Sequence, residues 1–513
     1  MIRPDTLAAP SQSPIAHVAI VGGGTAGWMA AAALARFLPA GTRITLIESD
    51  AIGTVGVGEA TIPQLGLFNR HLGIDEDDFV ARTGGSFKLG IEFAGWSGGD
   101  SRYLHGFGTI GRALGLVPFH HYWLAQGGAA DPASLWDHSA SAVAARDGRF
   151  ARDVGTSDLP IGLAWAYHFD TARYAAYLRA LAERNGVARV EGQVVDVAQN
   201  GEAGTIAALT LDDGRTIAAD FYIDCSGFAS LLLGRTMGAA WDDWSALLPC
   251  DRALAVPSAS NGPTTPFTRA TARAAGWQWR IPLQHRTGNG LVYSSDYLSD
   301  DEAAAILLGN LDGAALADPR PLRFRTGRRR TAWVGNCVGL GLAAGFLEPL
   351  ESTSIHLVQS GIARLLSLWP VASPRAADIA EYNRQSEREW VQVRDFLIAH
   401  YHLNGRDEPF WRERRAAPLP DTLAHRIDLF RSSGRIVRDG DELFAEVAWL
   451  QLLLGQGVVP TGWHPLADGL TPARTAEFLA MSRAQVAATV ARMQSHDAFL
   501  ARHCPAPVPK VAA

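Results

Sequence analysis

An apolar run, His17-Val-Ala-Ile-Val21, leads directly into Gly22-Gly-Gly24-Thr-Ala-Gly27 and then into an Ala/Leu-rich stretch from Ala26 to Leu38. Few short patterns restrict a fold as tightly as G-x-G-x-x-G set between a strand and a helix. Gly22 permits the tight turn, Gly24 lets backbone approach a pyrophosphate, and Gly27 lets helix and strand pack closely. The helix start offers free N–H groups and a positive dipole end to phosphate. Pro39 and Gly41 stop the helix, and Arg43-Ile-Thr-Leu-Ile-Glu48 reads as the next strand. The result is a βαβ unit of about 30 residues. Glu48 falls 21 residues after Gly27, where a carboxylate can accept hydrogen bonds from ribose hydroxyls. A glycine turn without a ligand is the plain alternative, but strand, helix and acidic end together favour dinucleotide binding.

The rest of the chain agrees with an α/β protein. Its 513 residues leave room for roughly three units at about 150 residues each. Apolar types at 47% and charged types at 19% are those of a folded chain rather than a disordered one. With 46 basic and 52 acidic residues, a net charge of −6 gives no reason to expect a nucleic-acid partner. Cys225, Cys250, Cys337 and Cys504 form no CxxC pair, which argues against a metal site or a disulfide scaffold and suits the reducing cytoplasm. No run of 18 apolar residues exists, and Gly22–Gly24 and Arg36 break the most apolar early stretch. Neither a membrane span nor a signal peptide is expected.

Residues 1–14, with Pro4, Pro10 and Pro14, read as a flexible tail. Thr61-Ile-Pro63-Gln64 reads as a helix start, with Thr61 as cap and Gln64 completing a capping box. Tyr174–Asn185 is helical, Val187–Val197 alternates as one strand, and Ile206–Leu211 with Thr216–Ala218 forms a hairpin. Phe221–Gly227 is a strand running into a glycine turn, and 250–295 holds several short β runs. Thr331–Gly335 is a late strand, followed by helices over Ile355–Trp369, Ala377–His400 and Pro472–Leu500. The expected organisation is an α/β, Rossmann-like (GR2-type) nucleotide-binding body over 15–355. A β-rich insertion interrupts it at about 85–220 and 245–325, and a helical, substrate-side region over 356–513 packs on it.

The glycine loop alone does not separate NAD from FAD. Two later strand-to-glycine turns favour FAD: Ile223-Asp-Cys-Ser-Gly227, and Trp333-Val-Gly335-Asn336 followed by Gly339, Gly341 and Gly345. Large FAD enzymes of the aromatic monooxygenase type carry Gly-Asp at such a second turn, near the ribityl chain. Here the pair is Gly335-Asn336. No second well-placed G-x-G-x-x-G serves NAD(P)H, so the flavin would arrive already reduced from a separate NAD(P)H-dependent flavin reductase.

Four further segments coincide: Gly58-Glu-Ala-Thr-Ile-Pro63, Ser86-Phe-Lys88-Leu-Gly90, Gly276-Trp-Gln-Trp-Arg-Ile-Pro282 and Phe346-Leu-Glu-Pro-Leu-Glu351-Ser-Thr-Ser-Ile355. With the nucleotide loop they resemble the flavin-dependent tryptophan halogenase family, and the resemblance runs from Val18 into the 460s. W-x-W-x-I-P beside the glycine loop is its most specific part. The family implies an oxidoreductase with two sites. FADH2 and O2 give a flavin hydroperoxide, which oxidises chloride or bromide to hypohalous acid. The acid then passes through a closed passage to an electron-rich aromatic ring.

The resemblance assigns residues to each station. Expected cofactor contacts are Gly22, Gly24, Thr25, Ala26, Gly27 and Glu48, with Ala60, Gly335, Leu342 and Ile355 from later segments. Lys88 stands at the far end of the passage, where it would polarise hypohalous acid by hydrogen bonding or form a haloamine; a solvated strand-edge lysine is the plain alternative. Glu351 would stabilise the cationic ring intermediate and take its proton, besides serving its helix start. Backbone N–H groups of Thr353 and Ser354 suit a halide, and the family usually has glycine where Ser354 stands. Trp277 and Trp279 would wall the substrate off from the flavin. His105-Gly-Phe107-Gly108 matches a segment that sandwiches the aromatic substrate, and Trp449 falls in the C-terminal segment where the substrate is held.

Tryptophan-specific members of that family hold the amino-acid head with a tyrosine pair and a glutamate on that segment. Glu446 and Trp449 are present here, but no tyrosine follows Tyr401. An indole-type arene without the amino-acid head is therefore the expected substrate. The competing readings are a flavin-dependent aromatic monooxygenase and a non-catalytic flavin-binding protein. The oligomeric state is open, a homodimer being the commonest assembly.

Overall fold

The computed structural model describes residues 14–52, 58–153, 162–201 and 204–507. The tail expected over 1–14 lies, Pro14 apart, outside them. His17–Val21 is buried along its whole length, as a strand covered on both faces must be. It runs parallel to Arg43–Glu48 on one side and to Phe221–Asp224 on the other. Ala188–Glu191 and Cys337–Gly339 extend this six-stranded sheet in parallel, and Trp333–Val334 closes its edge antiparallel. Helix Thr25–Phe37 buries a continuous run from Gly27 to Leu34, and helix Thr171–Arg184 packs against it. Asp170 caps the latter by accepting from the backbone N–H groups of Ala172 and Arg173.

Several expected elements differ. Val187–Val197 is not one strand: Gly192, at φ +154°, splits it. Ala188–Glu191 joins the nucleotide sheet, while Val194–Gln199 pairs antiparallel with Ile206–Leu211. Part of the 85–220 segment thus belongs to the nucleotide side of the molecule. Thr61 does not cap a helix, because its hydroxyl donates to the carbonyl of Tyr167. Helix Gln64–His71 starts after Pro63 with no side-chain cap. The single helix expected over Pro472–Leu500 is two, Pro472–Ala491 and His496–His503. Between them Gln494–Ser495 pairs with Arg149–Phe150.

Two further sheets complete the site. A seven-stranded sheet runs in the order Arg320–Arg323, Arg252–Ser258, Thr287–Tyr293, Gly276–Pro282, Thr268–Arg273, Gly90–Ala94, Arg102–Gly106. A small sheet sets Ala166–Asp170 between Gly58–Ala60 and Ser86–Lys88, antiparallel to both. The Lys88 strand is short, and the lysine ends it. One large apolar cluster gathers around the nucleotide sheet. Another joins the seven-stranded sheet to the long helix Ala376–His402 and the helix Glu446–Gly455. Among the described residues no helix is long and apolar enough to cross a membrane, and no group of three or more His, Cys, Asp or Glu is placed to hold a metal ion.

Candidate active site

A cavity of about 610 Å³ is lined by the glycine loop and, from the last third of the chain, by Pro349, Leu350 and Ser352 among others. Gly22 lies at φ +112°, and a Cβ there would stand 2.2 Å from the carbonyl oxygen of Cys225, so only glycine makes this turn. At Gly24 an added Cβ would meet nothing within 4 Å. The chain itself therefore does not require glycine at this point. Helix Thr25–Phe37 begins there with no side-chain cap and no acidic residue in its first turn. Uncapped N–H groups beside open space suit a pyrophosphate. Glu48 lines the same cavity, with Oε1 accepting from Arg189 Nε at 2.5 Å. Its Oε2 lies where a Cβ on Gly23 would be.

Of the ten expected cofactor contacts, Gly22, Gly24, Thr25, Ala26, Glu48, Ala60, Leu342 and Ile355 line this cavity. Gly27 packs behind the loop, where a Cβ would come within 1.8 Å of the Gly22 carbonyl. Gly335 does not line it. At φ +55° it turns Trp333–Val334 into Cys337–Gly339. The Asn336 side chain fixes that turn, accepting from the Ile206 N–H and donating to the Ile206 and Asp220 carbonyls. The glycines that do reach the cavity from this segment are Gly341 and Gly345.

Trp277, Trp279 and Ile281 alternate along their strand and so share one face, and all three line the cavity. Lys88 does not line the cavity and is 0% exposed. Its Nζ donates to the Ser352 hydroxyl at 2.8 Å and stands 5.4 Å from the centroid of the Phe107 ring. Ser352 itself lines the cavity, so this one residue links the buried amine to it. It connects the turn Pro349–Glu351 to helix Ser354–Ser367 and adopts φ 59°, a left-handed conformation uncommon for serine. Burial lowers the Lys88 amine to about 7, against the opposing pull of the Glu351 and Glu59 carboxylates. Burial likewise raises Glu59, on the cavity wall, to about 7.

Glu351 is 1% exposed. Burial alone would raise its pKa, but the ring N–H groups of His105 and His400, by electrostatic attraction and hydrogen bonding, hold it at about 2. Nδ1 of His105 meets both carboxylate oxygens at 3.0 and 2.9 Å, and Nε2 of His400 meets Oε1 at 2.7 Å. His105, expected against the substrate ring, is thus a partner of the carboxylate. Thr353 is the cap residue of helix Ser354–Ser367, which has no side-chain cap. The buried Thr353 hydroxyl has no partner, and Ser354 faces the cavity. Phe107 packs with Ile62 and Ala166, and Ala166 is the register partner of Lys88. Trp449 is buried edge-on against Phe396 at 4.7 Å and lies 4.4 Å from the Arg426 guanidinium. Glu446 is exposed and paired with Arg438 at 3.1 Å.

Motif reading singled out neither Ser352 nor His400. Ser352 stood inside a quoted motif with no role attached. His400 is one of 15 histidines and lies in the last turn of the long helix Ala376–His402 without any local signal. Glu59 lay in the Gly58–Pro63 segment, and only its neighbours in space give it meaning.

Comparison with known proteins is consistent across sequence and structure. The sequence profile of a family described as tryptophan halogenase matches residues 17–472. The chain is 37% identical over 445 residues to tryptophan 7-halogenase RebH of Lentzea aerocolonigenes, covering 82% of each chain. It is 50% identical to Xcc4156, a flavin-dependent halogenase from Xanthomonas campestris, with a TM-score of 0.93 over 97% of this chain and 100% of that one. It is 46% identical to BrvH, a flavin-dependent halogenase from Brevundimonas sp. BAL3, with a TM-score of 0.91 over 96% and 99%.

Proposed function

The chain belongs to the tryptophan halogenase family of flavin-dependent enzymes, and from that premise we propose that it halogenates an indole-type arene rather than free tryptophan. Lys88 delivers the halogen and Glu351 removes the ring proton. The observation that carries this reading is the buried Lys88 amine, hydrogen-bonded to Ser352, which lines the same cavity as the glycine loop.

The glycine loop, Glu48, Leu342 and Ile355 would hold FAD, with Ala60 beside it. Reduced FAD, supplied by a separate NAD(P)H-dependent reductase, would with O2 give the two-electron oxidation of chloride or bromide to hypohalous acid. Thr353 and Ser354 offer the start of their helix to the halide. Trp277 and Trp279 keep the arene out of the cavity. Lys88 meets the hypohalous acid as an ammonium donor to its oxygen, or as an amine that takes the halogen on nitrogen. A pKa near 7 populates both forms at neutral pH. In the first form the O–X bond breaks as the halogen bonds to a ring carbon, and the hydroxide takes a proton from the ammonium and leaves as water; in the second, water leaves with a proton of the amine as the N–X bond forms, and that bond breaks, its nitrogen regaining a proton, as the halogen bonds to carbon. In both, the ring proton passes to Glu351.

The choice of arene rests on the surroundings of Lys88. Phe107, Ile62 and Ala166 are apolar, Glu446 is engaged by Arg438, and no tyrosine follows Tyr401. Supplied with FADH2, O2 and bromide, the enzyme is expected to turn over indole faster than L-tryptophan, with mass spectrometry reading one added bromine. Faster L-tryptophan turnover rejects the substrate assignment. A hydroxylated product, without a brominated one, selects the monooxygenase reading instead.

Cofactor binding has its own test. A Cβ at Gly24 meets no protein atom within 4 Å, so Gly24→Ala should change stability by no more than about 1 kcal/mol. It should weaken FAD binding tenfold or more, about 1.4 kcal/mol, by filling the phosphate position. Thermal melting of the apoprotein and flavin fluorescence titration read the two effects separately. Unchanged FAD affinity would remove the loop from the cofactor site.

A further inference from the structure

We propose that His400 is a positioning residue for Glu351: fixed in one tautomer by Tyr103, it aims the carboxylate and keeps it charged. The inference rests on the reading of Glu351 as the base that receives the arene proton.

The geometry is a chain of three buried groups. Tyr103 Oη lies 3.1 Å from His400 Nδ1, and His400 Nε2 lies 2.7 Å from Glu351 Oε1. The Glu351 carboxylate can only accept, so it requires the hydrogen on Nε2 and leaves Nδ1 to accept from the Tyr103 hydroxyl, whose proton burial retains. Burial also lowers His400, against the pull of Glu351. A neutral imidazole that accepts at Nδ1 carries its hydrogen on Nε2, the nitrogen that faces the carboxylate.

The ring has no freedom to turn away. It stacks on Phe93 at 4.5 Å and meets the edges of Trp96 and Phe396 at 5.7 and 5.5 Å. Gln456 donates to the His400 backbone carbonyl at 2.9 Å. The titratable groups around Glu351 come from four directions. They are His105 and Tyr103 on strand Arg102–Gly106, His400 on the long helix, Lys88 on its short strand, and Glu59 beyond the lysine. Two imidazole N–H donors hold one carboxylate whose burial would otherwise favour its neutral form. Without them a proton taken from the ring, or from water, would stay on Glu351 and block the next turnover.

The experiment titrates Glu351 by difference infrared spectroscopy, its protonated carbonyl band being identified by loss in Glu351→Gln. Halogenation rate is measured against pH in parallel. In wild type no such band and no acid limb should appear above about pH 5. His400→Leu should move the titration upward by about one unit or more and bring an acid limb with it. His400→Gln, which retains an N–H donor near the Nε2 position, should restore both. Tyr103→Phe keeps the ring and its packing, and it should give a smaller shift in the same direction even if the leucine variant fails to fold. A Glu351 titration in the folded variants at the wild-type pH overturns the proposal, since a purely structural histidine would lower the rate without moving it. Full activity of Glu351→Gln would instead remove Glu351 as the base, while the infrared shift would still decide what His400 does to it.

Discussion

Lys88→Ala is expected to lower halogenation by about a thousandfold or more while leaving oxidation of FADH2 by O2 intact. The amine is buried from solvent, and its hydrogen-bond partner Ser352 lines the cavity. No other lysine or arginine bonds to that hydroxyl among the described residues. Hypohalous acid that passes the tryptophan wall therefore finds no group to hold it over the arene. Reoxidation of the flavin, followed by its absorbance, needs none of these atoms and should run at the wild-type rate. Brominated indole, followed by mass spectrometry, should nearly vanish. Lys88→Met, of similar length and without the amine, should behave like alanine, which separates chemistry from lost packing. The pH dependence identifies the working form: with the amine near 7, a rate that rises through neutrality marks the free amine and one that falls marks the ammonium. A fully active Lys88→Ala enzyme would falsify the role given to this residue.

Glu351→Gln should cost between about a hundredfold and ten-thousandfold in turnover. The amide keeps the size of the side chain but cannot take the ring proton, and it carries no charge to steady the ring cation. It also turns an N–H group toward His105 or His400, where the carboxylate had accepted from both. A donor facing a donor costs about 1–3 kcal/mol of stability, visible as a lower melting temperature. Ring-deuterated indole gives the mechanistic signature. If proton removal has become slow, the variant shows a primary isotope effect that wild type lacks. The absence of both the rate loss and the isotope effect would exclude Glu351 as the base.

The nucleotide half of the molecule was legible because its signals are local. Strand, glycine turn, helix and acidic strand end lie within the first fifty residues, and sterics fix the loop almost without help from the rest of the chain. Trp277 and Trp279 were legible for the same reason, since strict alternation puts both on one face. Gly335 misled because a strand running into a glycine looks the same whether it meets a ligand or a hairpin partner. Only pairing with Cys337–Gly339 decides it. The break between Pro472–Ala491 and His496–His503 has no proline or glycine to announce it. It comes from pairing with Arg149–Phe150, more than 300 residues earlier. The partner of His105 lies 246 positions away, and no spacing rule reaches that far. Long-range hydrogen bonds were thus the part of the site that motifs did not contain.

The strand that carries Lys88 has a debt to a distant segment. The Phe87 N–H donates to Nε2 of His496, 409 residues later in the chain, and the Phe87 ring lies between Phe150 and Phe499 at 4.2 and 5.4 Å. His496 is anchored in turn by the Thr264 carbonyl. Translation therefore makes Lys88 early and its backing late, so the nascent protein can shape the glycine loop long before the lysine strand is clamped. Contacts of such separation form slowly, which puts completion of the Lys88 strand's packing at the end of biogenesis rather than at its start.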